Sequence, residues 1–132
     1  MKFMLDTDIC IYLINHRPQR LLTRFERTPV GEIGISAITL AELEYGVSKS
    51  SQPEQNRRAL AGFISPLEIC PFDHAAGSIY GGVRAFMERK GVTIGSLDLL
   101  IAAHALSMKV QLVTNNQSEF KRVPGLRVAK WL

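Results

Sequence analysis

The chain has 132 residues, 46% of them hydrophobic, and a formal net charge of +4. This length corresponds to one ordinary domain, which we assign to residues 1–132, and a second core of usual size is excluded. No apolar run is long enough to cross a bilayer, and Asp6 follows the opening apolar residues too soon for a signal peptide. We therefore expect a cytoplasmic protein with no membrane partner, in which the isolated Cys10 and Cys70 are buried thiols.

Strand-like and helix-like segments alternate along the chain. Short runs rich in Ile, Leu, Val or Phe predict five strands, at residues 2–5, 32–36, 67–70, 110–114 and 126–129. Helices are predicted between them, at residues 9–15, 19–28, 39–48, 54–64, 74–90 and 97–108. This alternation predicts an α/β fold with three layers, α/β/α, around a central parallel sheet of about five strands.

Four of the apolar segments end in, or lead directly into, a carboxylate, namely Asp6, Glu42, Asp98 and Glu119. The carboxyl ends of parallel strands share one edge of the sheet, so we expect these acids to meet in one cleft. Crowded carboxylates repel one another, and the usual physical reason to gather them is a divalent cation such as Mg²⁺ or Mn²⁺. The sequence therefore predicts a metal-dependent enzyme that acts on phosphate.

The remaining charge favours a polyanionic substrate. Without those four acids the chain carries sixteen Lys and Arg against eight Asp and Glu, a net charge of +8. Spacings of three, four and three residues also predict an arginine stripe along one side of a helix, made of Arg17, Arg20, Arg24 and Arg27.

Helix capping offers an alternative explanation for two of the acids. One residue of the segment Asp6, Thr7 and Asp8 must cap the helix that follows, and since Thr7 or Asp8 can do so, we expect Asp6 to be free for a metal. Thr39 and Glu42 fit a capping box, in which the glutamate bonds the backbone amide of the threonine. Taken alone, Glu42 is equally well explained as a cap or as a ligand.

Asp98 lies in the first turn of its helix, where the helix dipole favours a carboxylate whatever its function. Ser96 can cap this helix. The helix is otherwise apolar around its start, and a single acid at the N-terminus of an apolar helix favours a functional site. His104 lies nearly two turns further along and is expected to be a hydrogen-bonded core residue. The loop after the fourth strand offers further polar side chains to the cleft, Thr114, Asn115, Asn116 and Glu119.

Four motifs carry a family resemblance: Met-Leu-Asp-Thr-Asp at 4–8, Ile-Ser-Ala-Ile-Thr-Leu-Ala-Glu-Leu at 35–43, Ile-Gly-Ser-Leu-Asp-Leu-Leu-Ile-Ala-Ala-His-Ala at 94–105, and Leu-Val-Thr-Asn-Asn with Glu-Phe at 112–120. Together they resemble the PIN-domain ribonucleases and, within them, the VapC toxins of bacterial toxin–antitoxin pairs. The resemblance covers essentially the whole chain, and it depends on the order and spacing of the motifs.

The resemblance implies a PIN-like fold and assigns roles to the acids. In that family the acids that match Asp6, Glu42 and Asp98 hold Mg²⁺ or Mn²⁺, and a fourth acid comes from the loop that matches 116–119. Asp8 stands where many relatives have Asn, and Asn116 where many have Asp, which leaves the fourth ligand between Asn116 and Glu119. We assign it to Glu119, and we expect substrate contacts from Thr7, Ser96, Thr114, Asn115 and Asn116.

The resemblance also implies a single-strand endoribonuclease that inhibits translation and forms a homodimer. Similar toxins from enteric bacteria cut the anticodon stem-loop of initiator tRNA, so a tRNA is the expected RNA substrate. A cognate VapB antitoxin is expected to inhibit the protein and to tether it to operator DNA. Two explanations fit a set of apolar residues near the start of the chain: they line an apolar groove for an antitoxin segment, or, equally well for most of them, they pack in the core. The residues are Ile9, Tyr12, Leu13, Leu21, Leu22 and Phe25.

Two rival functions remain open. A strand followed by Asp-Thr-Asp is also the first sequence motif of haloacid-dehalogenase-type phosphatases. In such an enzyme Asp6 would accept the phosphoryl group. Those enzymes need a lysine near the phosphate after a late strand, whereas Lys109 precedes its strand and Lys121 lies in a loop beyond it. The other rival is a non-catalytic binding module in which the acids are only helix caps.

Overall fold

A five-stranded parallel sheet forms the centre of the structure, a computed structural model that describes all 132 residues. Its strands are β1 (Phe3–Leu5), β2 (Ile33–Ser36), β3 (Glu68–Cys70), β4 (Gln111–Val113) and β5 (Val128–Ala129). They pair in the order β3-β2-β1-β4-β5, all parallel. The strand order reverses between β1 and β4, and the carboxyl ends of these strands therefore flank the position where open α/β sheets form a crevice.

Seven α-helices cover the sheet. They are α1 (Thr7–Ile11), α2 (Gln19–Arg27), α3 (Ala37–Lys49), α4 (Pro53–Ile64), α5 (His74–Arg89), α6 (Ser96–Met108) and α7 (Gln117–Phe120). A π-helical turn, Tyr12–His16, follows α1 directly, and a short 3₁₀ turn, Val30–Glu32, leads into β2. None of the helices combines the length and the apolar character that a membrane crossing needs.

The three-layer α/β fold predicted from the sequence is confirmed. Side chains alternate between the two faces of a strand, and in β1 they enter two separate cores. Phe3 and Leu5 belong to a buried cluster with residues of α1 to α4, whereas Met4 belongs to a cluster with residues of α5, α6 and α7. Cys10 lies in the first cluster and Cys70 in the second, and both are free buried thiols, as predicted.

The predicted arginine stripe is shorter than expected. Arg17 ends the π-helical turn in the left-handed region, with φ 49°, and α2 begins only after Pro18. The stripe is therefore limited to Arg20, Arg24 and Arg27, and the Arg24 guanidinium carbon lies 5.3 Å from the centroid of the Trp131 ring. One of the three arginines of the stripe, Arg24, therefore makes a cation–π contact within the protein.

Core packing, the alternative to an antitoxin groove, is the explanation that the structure supports for the apolar residues of α1, the π-helical turn and α2. Ile9, Leu13 and Leu21 are buried in the core, because the π-helical turn and α2 fold over the first face of the sheet. A different apolar groove, of about 180 Å³, lies between the π-helical turn and the pair α3 and α4. Its lining includes Ile14, Val47 and Glu42.

Candidate active site

A polar cavity of about 230 Å³ opens at the carboxyl ends of β1 and β4. Phe120 is the only hydrophobic residue that lines it, and no lysine or arginine does. The structure brings three of the four predicted acids to its wall, Asp6, Glu42 and Asp98. The lining is completed by Thr7, Asp8, Asn116 and Phe120.

Asp6 is the N-cap of α1, so the expectation that Thr7 or Asp8 would cap this helix is wrong. Its Oδ1 accepts a hydrogen bond from the backbone amide of Ile9 at 2.9 Å. The backbone of Asp6 is still extended where it leaves β1, and its side chain is therefore the one that reaches the third amide of the helix. Burial raises the pKa of Asp6 to about 6, although hydrogen bonds from Thr114 and Ile9 act in the opposite direction.

Asp98 occupies the third position of α6 and faces the same cavity. Its pKa is raised to about 6, first by burial and then by the neighbouring carboxylates of Glu119, Glu42 and Asp8. Burial and crowding both disfavour the ionised form of a carboxylate. Two acids in one cavity thus keep their protons to a higher pH than free carboxylates do, and a bound cation would favour their ionised forms.

Glu42 is held by Thr7, and the predicted capping box with Thr39 does not form. The helix α3 begins two residues earlier than predicted and is capped by Ser36, whose Oγ accepts from the Ile38 amide at 3.0 Å. Glu42 therefore lies in the second turn, where its Oε1 accepts a hydrogen bond from the Thr7 hydroxyl at 2.6 Å. The Thr7 hydroxyl oxygen also lies 3.3 Å from that of Thr39.

The loop after β4 places Asn116 in the cavity wall, whereas Glu119 does not line the cavity but lies near Asp98, whose pKa it raises. The Asn116 side-chain amide donates to Glu119 Oε2, and Glu119 Oε1 accepts from the backbone amide of Gly95 at 3.1 Å. Thr114 is fully buried, and its Oγ1 accepts from the Asn116 backbone amide at 2.9 Å. Asn115 is exposed and lines a neighbouring cavity.

Ser96 is not part of the acidic cavity. It is the first residue of α6 and not its cap, because the N-cap position falls on Gly95. Its side chain lines a separate cavity of about 180 Å³ together with Tyr80 and Arg84. The position of Ser96 therefore gives no support to a substrate contact.

Asp8 is an acid in the cavity wall that the sequence analysis did not select. It is exposed and lies at the second position of α1, two residues after Asp6. The Asp-x-Asp spacing across a strand-to-helix junction is the sequence signal that identifies it.

His104 is a core residue, as predicted, and it ties α6 to the start of α3. Its Nδ1 lies 2.8 Å from Ser36 Oγ. Ser36 Oγ already accepts from the Ile38 amide, and we assign its hydroxyl hydrogen to this contact, with Nδ1 of the neutral ring as the acceptor. Burial lowers the pKa of His104, in keeping with a neutral ring.

The donor set in the cavity fits a hard divalent cation. Carboxylate and amide oxygens are the ligands that Mg²⁺ and similar ions prefer. The side chains do not, however, form a closed group of three or more ligands, because Glu42 turns toward Thr7 and Glu119 toward Asn116. Like charges without a counter-charge repel one another, and joint coordination requires these carboxylates to turn inward.

The strand order and the acidic crevice at its reversal define the class of this protein. The sequence profile of the PIN domain matches residues 3–126, and the chain belongs to the PIN domain family. PIN-domain ribonucleases generally use divalent metal ions.

Within this family the chain is similar to VapC proteins, which confirms the resemblance seen in the sequence motifs. It is 48% identical over 132 residues to Ribonuclease VapC2 of Rickettsia felis, covering 99% of this chain and 98% of the relative. It is 44% identical to the tRNA(fMet)-specific endonuclease VapC of Salmonella typhimurium, covering 99% and 98%. The crystal structure of DNA-bound VapBC from Salmonella typhimurium matches with a TM-score of 0.96 at 44% identity, covering 100% of this chain and 99% of that chain.

Proposed function

We propose that this protein is a divalent-metal-dependent endoribonuclease and the toxin of a toxin–antitoxin pair. The observation that carries the proposal is the cavity in which Asp6, Asp8, Glu42 and Asp98 meet, with no basic side chain in its wall. Full-length similarity to proteins named Ribonuclease VapC2 and tRNA(fMet)-specific endonuclease VapC supports the same reaction on RNA. In this proposal, Asp6, Glu42, Asp98 and Glu119 hold Mg²⁺ or Mn²⁺ and form the catalytic site.

The chain's own residues hold and orient the ligands. The Ile9 amide and the Thr114 hydroxyl fix the Asp6 carboxylate at the end of β1. Thr7 orients Glu42, and Asn116 links Glu119 to the cavity wall. A bound Mg²⁺ or Mn²⁺ supplies charge that stabilises the developing negative charge of a phosphodiester and lowers the pKa of a bound water.

Three residues remain available for the substrate. Thr7, Asn116 and the exposed Asn115 lie at or beside the acidic cavity, where their polar groups can reach phosphate or ribose oxygens. Thr114 is buried and is assigned to the support of Asp6 and of the Asn116 backbone. Since no histidine or cysteine lines the acidic cavity, hydrolysis by water is favoured over attack by such a side chain.

The proposal extends to partners and location. The Salmonella relative in the matched structure is part of a DNA-bound VapBC complex. By analogy we propose a cognate VapB-type antitoxin, a homodimer, and contact with operator DNA only through the antitoxin. A tRNA, with initiator tRNA as the first candidate, is the proposed substrate, which places the protein in the cytoplasm.

The test is incubation with total cellular RNA, with and without Mg²⁺, followed by mapping of the cut ends. Asp6→Asn removes one site charge, and Asp73→Asn makes the same change at an N-cap aspartate that lies outside the cavity, where Asp73 accepts from the Ala76 amide at 3.0 Å. We expect the wild type and Asp73→Asn to cut RNA with Mg²⁺, and Asp6→Asn to lose roughly a hundredfold or more. The cut ends should be 5′-phosphate and 3′-hydroxyl, clustered in one tRNA anticodon stem-loop.

Cutting that persists in EDTA and leaves 2′,3′-cyclic phosphate would contradict the proposed chemistry. Equal RNA cutting by Asp6→Asn and the wild type would contradict the catalytic role of Asp6, whereas no Mg²⁺-dependent cutting by the wild type would support the binding-module alternative. The phosphatase alternative finds no support in the structure, because Lys109 lies at the opposite end of β4 and no lysine lines the cavity.

A further inference from the structure

A second and wider cavity, of about 500 Å³, adjoins the acidic one. Asp8 and Asn116 line both cavities, so an RNA whose phosphate lies among the acids would pass directly into the second space. Neither the family assignment nor the carboxylates account for this cavity. Its lining consists of Asp8, Ile11, Tyr12, His16, Asn115 and Asn116.

One side of this cavity carries two flat rings. The centroids of Tyr12 and His16 are 5.4 Å apart, with the ring planes inclined by 55°. Tyr12 is partly buried and packs against the first core, which fixes its ring, whereas His16 is exposed. Base–aromatic stacking is the commonest way in which proteins hold unpaired nucleotides.

The backbone that presents these rings is unusual. Tyr12–His16 is a π-helical turn, a rare feature that is frequently found at functional sites. The turn ends at Arg17, a non-glycine residue in the left-handed region with φ 49°, whose amide bonds the Tyr12 carbonyl. Such a conformation costs energy and persists where the surrounding structure holds it, often beside a ligand site.

The remaining lining supplies polar groups that can read the edge of a base. Asn115 is exposed and Asn116 half-buried, and each side-chain amide offers both a donor and an acceptor. Paired bases inside an RNA helix are not accessible to such a site, whereas bases of loops and single strands can turn out and stack.

We propose that this cavity is a base-binding subsite. It takes the unpaired nucleobase of the nucleotide next to the phosphodiester that lies among the acids. The base stacks on the face of one of the rings of Tyr12 and His16 and packs against the other, which is inclined by 55°. The amides of Asn115 and Asn116 contact its edge. This inference rests on the proposed ribonuclease function and adds the residues that hold the unpaired nucleotide beside the cut.

Ring substitutions test the stacking, with the RNA that the mapping experiment identifies as substrate. Tyr12→Leu and His16→Ala each remove a ring, and we expect KM to rise on the order of tenfold, with a smaller change in kcat. Tyr12→Phe keeps the ring and should behave as the wild type. Tyr45→Leu is the matched control, because Tyr45 is 66% exposed on α3 and lines neither cavity.

Removal of the base tests the same contact from the side of the RNA. A short oligonucleotide that spans the mapped site is made with an abasic ribose on either side of the cut. One of the two abasic positions should raise the KM of the wild type about tenfold but leave that of Tyr12→Leu/His16→Ala nearly unchanged. Thermal midpoints check folding, and the exposed His16 provides a variant that leaves the core intact.

Two failures can be told apart. If the wild type cuts no RNA with Mg²⁺, the proposed function itself fails. If it cuts, but neither abasic position nor the loss of either ring changes KM, the base-binding subsite is wrong and the ribonuclease function stands.

Discussion

The Thr7 hydroxyl donates a hydrogen bond of 2.6 Å to Glu42 Oε1 and thereby joins α1 to α3 across 35 positions of sequence. Thr7 follows Asp6 directly. This one segment therefore brings the Asp6 carboxylate to the cavity and, through the Thr7 hydroxyl, orients the Glu42 carboxylate. A hydrogen bond to a carboxylate is stronger than one between neutral groups, and it restricts the rotamers of a glutamate that has three torsions. The position of Glu42 in the cavity wall therefore depends on α1 as much as on α3.

Thr7→Val should lower kcat/KM for RNA cleavage about tenfold, because valine keeps the shape of the side chain and removes the donor. Thr7→Ser keeps the hydroxyl and should retain most of the activity. Thr23→Val makes the same change on α2, where Thr23 only accepts from Gln19, and should leave cleavage unaltered. Initial rates at saturating Mg²⁺ measure the effect, and wild-type activity in Thr7→Val would show that Glu42 needs no such support.

The raised pKa values of Asp6 and Asp98 predict how stability depends on pH. Each pKa rises from 3.8 to about 6 on folding. The folded chain therefore holds protons that the unfolded chain releases between these values, and the contribution of both groups to the free energy of unfolding falls as pH rises through this interval. Burial lowers the pKa of His104, so its contribution to the free energy of unfolding rises as pH approaches the ordinary pKa of histidine.

Urea unfolding in EDTA, at several pH values from 4 to 7.5, isolates the contribution of Asp98. The free energy of unfolding of the wild type minus that of Asp98→Asn should decrease from pH 4 to about 6 and then level off. The contribution of His104 is common to both proteins and cancels in the difference. A difference that stays constant over this range would mean that Asp98 is not crowded in the folded protein.

Divalent cations should stabilise the protein against heat in a manner that depends on the cavity acids. A ligand that binds only the folded state raises the melting temperature with its concentration, so Mn²⁺ or Mg²⁺ should do so for the wild type and for Asp73→Asn. Asp6→Asn should lose most of this shift but keep its helix cap, since asparagine caps as well as aspartate. In EDTA its melting temperature should equal or exceed that of the wild type, because a buried charge has been removed.

The same thermal shift should be smaller at pH 5.5 than at pH 7.5. Metal ligands must lose their protons, and the pKa of both Asp6 and Asp98 is about 6 in the folded chain. Differential scanning fluorimetry with and without the ion measures this at both pH values. Equal shifts in wild type and Asp6→Asn would place the cation elsewhere.

The large-scale features were predictable because they depend on patterns that many residues share. Alternating apolar runs and helical segments predicted the five strands and six of the seven helices. The ends are displaced by at most two residues, provided that the first predicted helix, 9–15, is compared with α1 and the π-helical turn together. The parallel arrangement explains why Asp6, at the end of β1, and Glu42, in the helix that follows β2, lie at one edge of the sheet. Asp98 reaches the same cavity from the start of α6, which no strand directly precedes. Their roles as ligands stay predictions.

The details that sequence reasoning missed depend on single backbone torsions. Asp6 caps α1 because the backbone is still extended at this residue. The helix α3 begins two residues earlier than predicted and is capped by Ser36, so Glu42 is not part of the expected capping box. The π-helical turn has no periodic pattern of apolar residues that distinguishes it from an α-helix, so the sequence did not predict the cavity beside Tyr12. The short helix α7 was read as a loop, because four residues are too few to show a period.

The contact between Ser36 and His104 should show strong energetic coupling. Ser36→Ala removes the cap of α3 and leaves the buried Nδ1 of His104 without a donor, for a combined loss of about 2 to 4 kcal/mol in the free energy of unfolding. Ser50→Ala, at the other end of α3, breaks one bond to the Val47 carbonyl at a partly buried position and should lose about 1 kcal/mol or less. In a double-mutant cycle with His104→Leu, the combined loss should be clearly smaller than the sum of the single losses, since the imidazole that needs the Ser36 donor is gone. Urea unfolding at pH 7.5 measures each variant, and additive losses would mean that Ser36 and His104 stabilise α3 and α6 independently.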